Sequence, residues 1–150
     1  MHRFLVLPIL LALAAPALAL DVNGYRAQHG RAPLRVDSNL AALAYFHARD
    51  LAARGALDHR GFATERGPLG ARAENVSYGC GNERCAILQW SRSAPHRAAM
   101  LRKDVSSYGL ATVVSSTGRR YWVMELGGSA PVTRGKTKQK KQYLEASAQR

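Results

Sequence analysis

The chain is poor in acids and in cysteine. Ten Asp and Glu stand against 22 Lys and Arg, giving a formal net charge of +12 over 150 residues. A charge excess of one sign draws a protein loosely onto anionic surfaces such as phospholipid head groups, acidic cell-wall polymers or nucleic acid. The two cysteines, Cys80 and Cys85, have no second pair to complete a four-thiolate metal site. No second long apolar run follows the N-terminal one, so no transmembrane segment is expected beyond it. Also missing are a His-Glu-x-x-His helix, a Gly-x-Ser-x-Gly nucleophile elbow and any internal repeat. The Lys-rich C-terminal stretch lacks interleaved aromatics for base stacking, which argues against a specific nucleic-acid reader.

What is present begins at the N-terminus. His2 and Arg3 precede an apolar run from Phe4 to Leu13, and Ala17-Leu18-Ala19 forms a small-x-small site. This is the layout of a signal peptide over residues 1–19, cleaved after Ala19. An uncut membrane anchor is the alternative, but the run is short of the about 20 apolar residues a spanning helix needs. The expected mature chain, Leu20–Arg150, is one domain of net charge one less than the whole, secreted or periplasmic, and a monomer. In an exported chain an even cysteine count reads as a disulfide, Cys80–Cys85. Half a metal site is the competing reading.

Asp21–His29 reads as a short helix ended by Gly30. Asp37-Ser38 caps the clearest helix, Ser38–Arg54, with Leu40, Leu43, Ala44, His47 and Leu51 on one stripe and Gly55 as its stop. His47 is read as a core or cleft-wall residue. Residues 56–72 are loop-like and rich in Gly, and Ala73–Tyr78 reads as a strand. Short helices follow over Glu83–Trp90 and from Pro95 to about Arg102. Ser107–Val114 and Arg119–Leu126 form a hairpin around Thr117-Gly118. Residues 131–150 form a polar, basic tail that composition predicts to be unordered. The whole reads as an α+β domain.

The order of short motifs carries more than any one of them. Asn23-x-x-Arg26, His29-Gly30, Pro33-Leu34-x-x-Asp37 and Leu40-Ala41-x-x-Ala44 open the domain. His59, Glu74-Asn75, Trp90-x-x-Ser93-x-x-His96-Arg97-Ala98-x-Met100-Leu101, Gly109 and Tyr121-Trp122 follow. This series resembles the CAP superfamily (cysteine-rich secretory protein, antigen 5 and pathogenesis-related-1; the SCP domain), of the bacterial secreted type, over residues 20–130. The resemblance implies an α-β-α sandwich with a small antiparallel sheet between helical layers. It also implies a cleft lined by His59, Glu74 and His96, with Ser93 where many eukaryotic members have a second glutamate. Ala99 stands where bacterial members commonly have asparagine.

Two imidazoles and a carboxylate would make an open site for a divalent metal such as zinc, so His59, Glu74 and His96 are the implied ligands. Glu125 could supply the missing carboxylate if its strand face points to the cleft. The resemblance implies a binding or interaction module for a lipid or an anionic envelope component. The alternative is a hydrolase that depends on a metal or on the His/Glu pair. No catalytic residue is assigned, since Ser93 has no recognisable nucleophile setting.

Overall fold

A computed structural model describes residues 20–128 and 134–149. The expected signal segment 1–19 lies outside the described residues. Helices α1 (Val22–Gln28), α2 (Ser38–Arg54), α3 (Glu83–Ser91), α4 (Ala94–Met100) and α5 (Arg134–Ala148) surround strands β1 (Arg35–Val36), β2 (Ala71–Tyr78), β3 (Ser107–Val114) and β4 (Arg120–Gly127). The sheet runs β1-β3-β4-β2. β2, β4 and β3 are antiparallel, while β1 pairs parallel with β3 at two positions, so the sheet is mixed rather than purely antiparallel. The parallel pair arises because the chain reaches β1 before crossing the domain in α2.

α2 forms where the sequence pattern places it. The Asp37 side chain accepts from the amides of Asn39 and Leu40, and Gly55 closes the helix at φ 64°. Its buried face packs Ala44, Ala48 and Leu51 on Val76, Tyr121 and Val123 of the sheet. Alternate residues of β4, Trp122, Met124 and Leu126, enter a second core with Val22, Ile87, Trp90 and Met100 from the opposite helices. The sheet is therefore sandwiched between α2 on one face and α1, α3 and α4 on the other. Gly109 of β3 permits the α2 contact, since a Cβ there would fall on the backbone of Leu40 and Ala41.

The α1–α4 layer is tied by polar contacts as well. Buried Arg26 donates to the carbonyls of Met100 and Arg102 at 2.6 and 3.1 Å, satisfying the end of α4. The Trp90 indole donates to the Val76 carbonyl at 3.1 Å and that of Trp122 to the Cys80 carbonyl at 2.8 Å. Cys80 and Cys85 form the expected disulfide.

Two segments depart from the sequence reading. The stretch 56–72 contains a π-helical turn, Phe62–Arg66, where Arg66 N donates to Gly61 O and Gly67 N to Phe62 O. Part of the tail read as unordered is helical, as α5, and its half-buried Tyr143 packs on the cluster of Leu40, Leu43, Leu69 and Ala71. An apolar seat on the domain gives this polar segment a reason to order that its own composition lacks.

Candidate functional site

Glu74 of β2 lies directly across from Glu125 of β4, which in turn lies across from Gly109 of β3. Opposed residues in an antiparallel pair share a face. Val76 and Val123 pack on α2, so Glu74 and Glu125, two residues away in each strand, point to the same side. Both carboxyl groups are buried, with side chains 1% and 0% exposed.

The π-helical turn delivers Arg66 between them. Its Nε donates to Glu74 Oε2 at 2.7 Å and a terminal nitrogen donates to Glu74 Oε1 at 3.1 Å. The other terminal nitrogen donates to the Arg60 carbonyl at 2.9 Å. The guanidinium thus grips Glu74 with a two-pronged fork and is itself held from behind. Nε also lies 2.9 Å from Glu125 Oε1, but its one hydrogen is aimed at Glu74. Neither oxygen of Glu125 receives a hydrogen bond as a carboxylate.

Protonation resolves that orphan. Burial first, then the hydrogen bond to Glu74 and the Glu74 charge, push the Glu125 carboxyl well above the ordinary glutamate range. Protonated, it supplies a hydrogen to Glu74. Burial alone would raise Glu74 too, but hydrogen bonds from His59, Glu125 and Arg66 outweigh it and hold Glu74 at about 2. The pair therefore carries one negative charge, on Glu74.

Two histidines flank that charge. His59 donates from Nδ1 to Glu74 Oε1 at 2.7 Å while its side chain stays 52% exposed. This hydrogen bond raises its affinity for a proton against the opposing effect of burial. His47, buried on α2, has Nε2 3.7 Å from the same Glu74 oxygen. That nitrogen donates instead to the Asp58 carbonyl at 3.0 Å, so it bears hydrogen. Burial lowers the His47 pKa and favours the neutral ring.

His96 on α4 sits at the other side of β2, where its carbonyl accepts from Asn75 at 3.0 Å. Burial, then repulsion by His59, lowers its pKa. His59 and His96 are thus within electrostatic reach of one another across the β2 edge. Ser93 is the N-cap of α4 and makes no side-chain cap bond.

The implied metal trio does not assemble as a donor set. Among the described residues no group of three or more His, Cys, Asp or Glu is placed to hold a metal ion. Both Glu74 oxygens accept from the Arg66 guanidinium, so Glu74 is committed to that pair. Glu74 therefore does not complete a three-ligand set with His59 and His96.

Sequence reasoning missed Arg66, since an arginine in a Gly-rich loop carries no mark of burial. Glu125 was legible in part: Tyr121, Val123 and Glu125 alternate on one face, which identifies where its side chain goes once that face is known.

The profile of the Cysteine-rich secretory protein family, CAP, matches residues 21–126. The chain belongs to this family. Its CAP domain is similar to an outer surface protein of Borrelia burgdorferi, at 18% identity and a TM-score of 0.58, over 71% of this chain and 86% of that one. It is also similar to an extracellular SCP-domain protein of Bacillus anthracis, at 18% identity and a TM-score of 0.57, over 72% of this chain but 38% of that longer one. Identities this low establish the shared fold. Among curated proteins nothing matches the chain.

Proposed function

We propose that this CAP protein is exported and acts as a binding module, recognising an anionic or amphiphilic envelope component at the β2 edge, where His59 lies on one side and His96 on the other. One observation supports this above the rest. Glu74 is fully engaged by Arg66, Glu125 and His59, so the group left to meet a ligand is the half-exposed His59 ring. A carboxylate held at about 2 takes up protons too weakly to serve as a general base near neutrality. His59, with its raised proton affinity, offers a hydrogen bond and a partial positive charge. Exposed Leu57, two residues before it, adds an apolar element. The basic balance of the chain favours the same partners. The expected signal segment and the outer-surface and extracellular neighbours support export, to the periplasm or beyond.

The test is co-sedimentation of the purified mature chain with phosphatidylglycerol vesicles and with phosphatidylcholine vesicles. Binding to the first, weakened by His59→Ala in a chain lacking 134–150, is the expected result. Removing that segment takes away its share of the general charge attraction, and the His59→Ala comparison within the shortened chain isolates the site. Equal binding by His59→Ala would place recognition elsewhere.

A second reading has one observation in its favour. The 2.7 Å His59–Glu74 contact also orients an imidazole as a general base for a hydrolase. Ester or peptide hydrolysis that disappears in His59→Ala would establish it.

A further inference from the structure

We infer that Arg66 is the resident cation of the Glu74–Glu125 pair, and that it acts as a positioning residue for Glu74 and, through Glu74, for His59. The inference concerns the charge arrangement of the cluster and does not depend on which ligand the site takes.

Three contacts carry it. Arg66 reaches Glu74 twice, at 2.7 and 3.1 Å, and approaches Glu125 at 2.9 Å, so a single guanidinium contacts both carboxyl groups. It is buried to 1% exposure and anchored on the Arg60 carbonyl, which holds it against Glu74. Its charge is permanent, because guanidinium does not lose its proton in proteins. A metal ion entering between Glu74 and Glu125 would meet a fixed like charge in a medium of low dielectric, and would need lone pairs already accepting hydrogens.

The consequence reaches His59. The Arg66 fork fixes the rotation of the Glu74 carboxylate, and that fixes which oxygen faces the imidazole. Glu74 Oε1 accepts from His59 Nδ1, so the neutral ring carries its hydrogen on Nδ1. Nε2 is then the nitrogen with the free lone pair, on a side chain half open to solvent. In free histidine the preference is reversed, with hydrogen on Nε2. The cluster therefore inverts the tautomer, and Arg66 is the part that holds it inverted without a metal.

Side-chain nitrogen NMR of the purified mature chain, reading the His59 ring and the Arg66 Nε–H, tests both halves. In the wild-type protein, neutral His59 should show the Nδ1–H signature, and zinc, even where it meets the open His59 Nε2, should leave the signal of the Arg66 Nε–H bonded to Glu74 in place. Arg66→Met should lose that signature toward the Nε2–H form. Arg66→Lys restores a charge but not the fork, and should recover it only in part. Loss of that Arg66 Nε–H signal when zinc is added to the wild type would overturn the assignment of Arg66 as the resident cation. An unchanged His59 tautomer in folded Arg66→Met would overturn the positioning role. If Arg66→Met does not fold, an unchanged tautomer in Arg66→Lys does the same, and the wild-type zinc titration needs no variant.

Discussion

Glu74 and Glu125 face each other across the β2–β4 pair and share one proton between two buried carboxyl groups. Two carboxylates this close, out of water, cannot both ionise. The proton goes to Glu125, which has no hydrogen-bond donor of its own, and the charge goes to Glu74, which has several. Arg66 is thereby matched by one full negative charge, and the cluster is close to neutral apart from His59.

Removing the two acids should not be additive. Glu125→Gln keeps a hydrogen for Glu74 and leaves the Arg66–Glu74 pair intact, so it should cost within about 1 kcal/mol. Glu74→Gln removes the main partner of Arg66, but Glu125, 2.9 Å away, can then ionise and replace part of the lost charge. The double variant leaves Arg66 buried with no anion and should cost about 3–5 kcal/mol, as for other broken buried pairs. Urea unfolding of the three variants gives the comparison. A double cost equal to the sum of the single costs would sink the idea that the proton redistributes.

The seat of α5 predicts a stability effect where composition alone predicts none. Half-buried Tyr143 covers part of the cluster of Leu40, Leu43, Leu69 and Ala71. Burying a large side chain fully is worth about 1.5–3 kcal/mol, so half-burial is worth about 1 kcal/mol. Tyr143→Ala should lower the thermal midpoint by a few degrees, and deletion of 134–150 should lower it at least as much. An unchanged midpoint in the deletion would mean that α5 contributes nothing to the core.

The sequence made the elements readable wherever a local rule decides them. Asp37 and Gly55 bracket α2, and the bounds read from the sequence, Ser38–Arg54, match the helix in the structure. Ser107–Val114 is likewise read correctly, from β-branched residues before a Thr-Gly turn. The site was less legible because its key contact is not local. Only the meeting of Glu74 with His59 matches the motif order, and the arginine that governs both comes from a loop whose π-helical turn has no sequence signature. Whether Glu125 joins depends on which strand lies beside β2, and that is set by the sheet order, not by any spacing. Tyr143 was missed for the same reason: its partners are more than seventy residues away.

Gly109→Ala should be among the most damaging single-methyl changes in the chain. The added carbon would fall on the backbone of Leu40 and Ala41, and neither the strand nor α2 can yield without opening the core between them. Overpacking of this kind costs about 1–3 kcal/mol when side chains can shift, and more when the obstacle is backbone. Gly81→Ala, where nothing lies within 4 Å of the new carbon, should stay within about 0.5 kcal/mol of wild type. Circular dichroism melts of the two variants decide the point. Similar midpoints for both would mean that α2 does not press on the sheet as closely as the structure has it.

The shared proton also predicts a pH dependence with a definite sign. Glu74 ionises at about 2 in the folded chain against an ordinary 4.5, so its contribution is fully present above 4.5 and lost as pH falls toward 2. Glu125 works in the opposite direction. Its folded value lies well above 4.5, so its contribution is full below 4.5 and is lost as pH rises through the folded value. Between 4.5 and that folded value the wild-type fold must therefore keep a proton that the unfolded chain releases. Glu125→Gln has no such proton to keep and retains the hydrogen donated to Glu74. Its urea midpoint, measured against wild type, should improve as pH rises above about 4.5, up to the pH at which folded Glu125 gives up its proton. His47, His59 and His96 also titrate in this range, and Arg66 remains charged throughout, but all four are present in both proteins and cancel to first order in the difference. A difference that stays flat across that range would show that Glu125 gives up its proton at an ordinary pH, and that Arg66 is balanced by two full carboxylates rather than one.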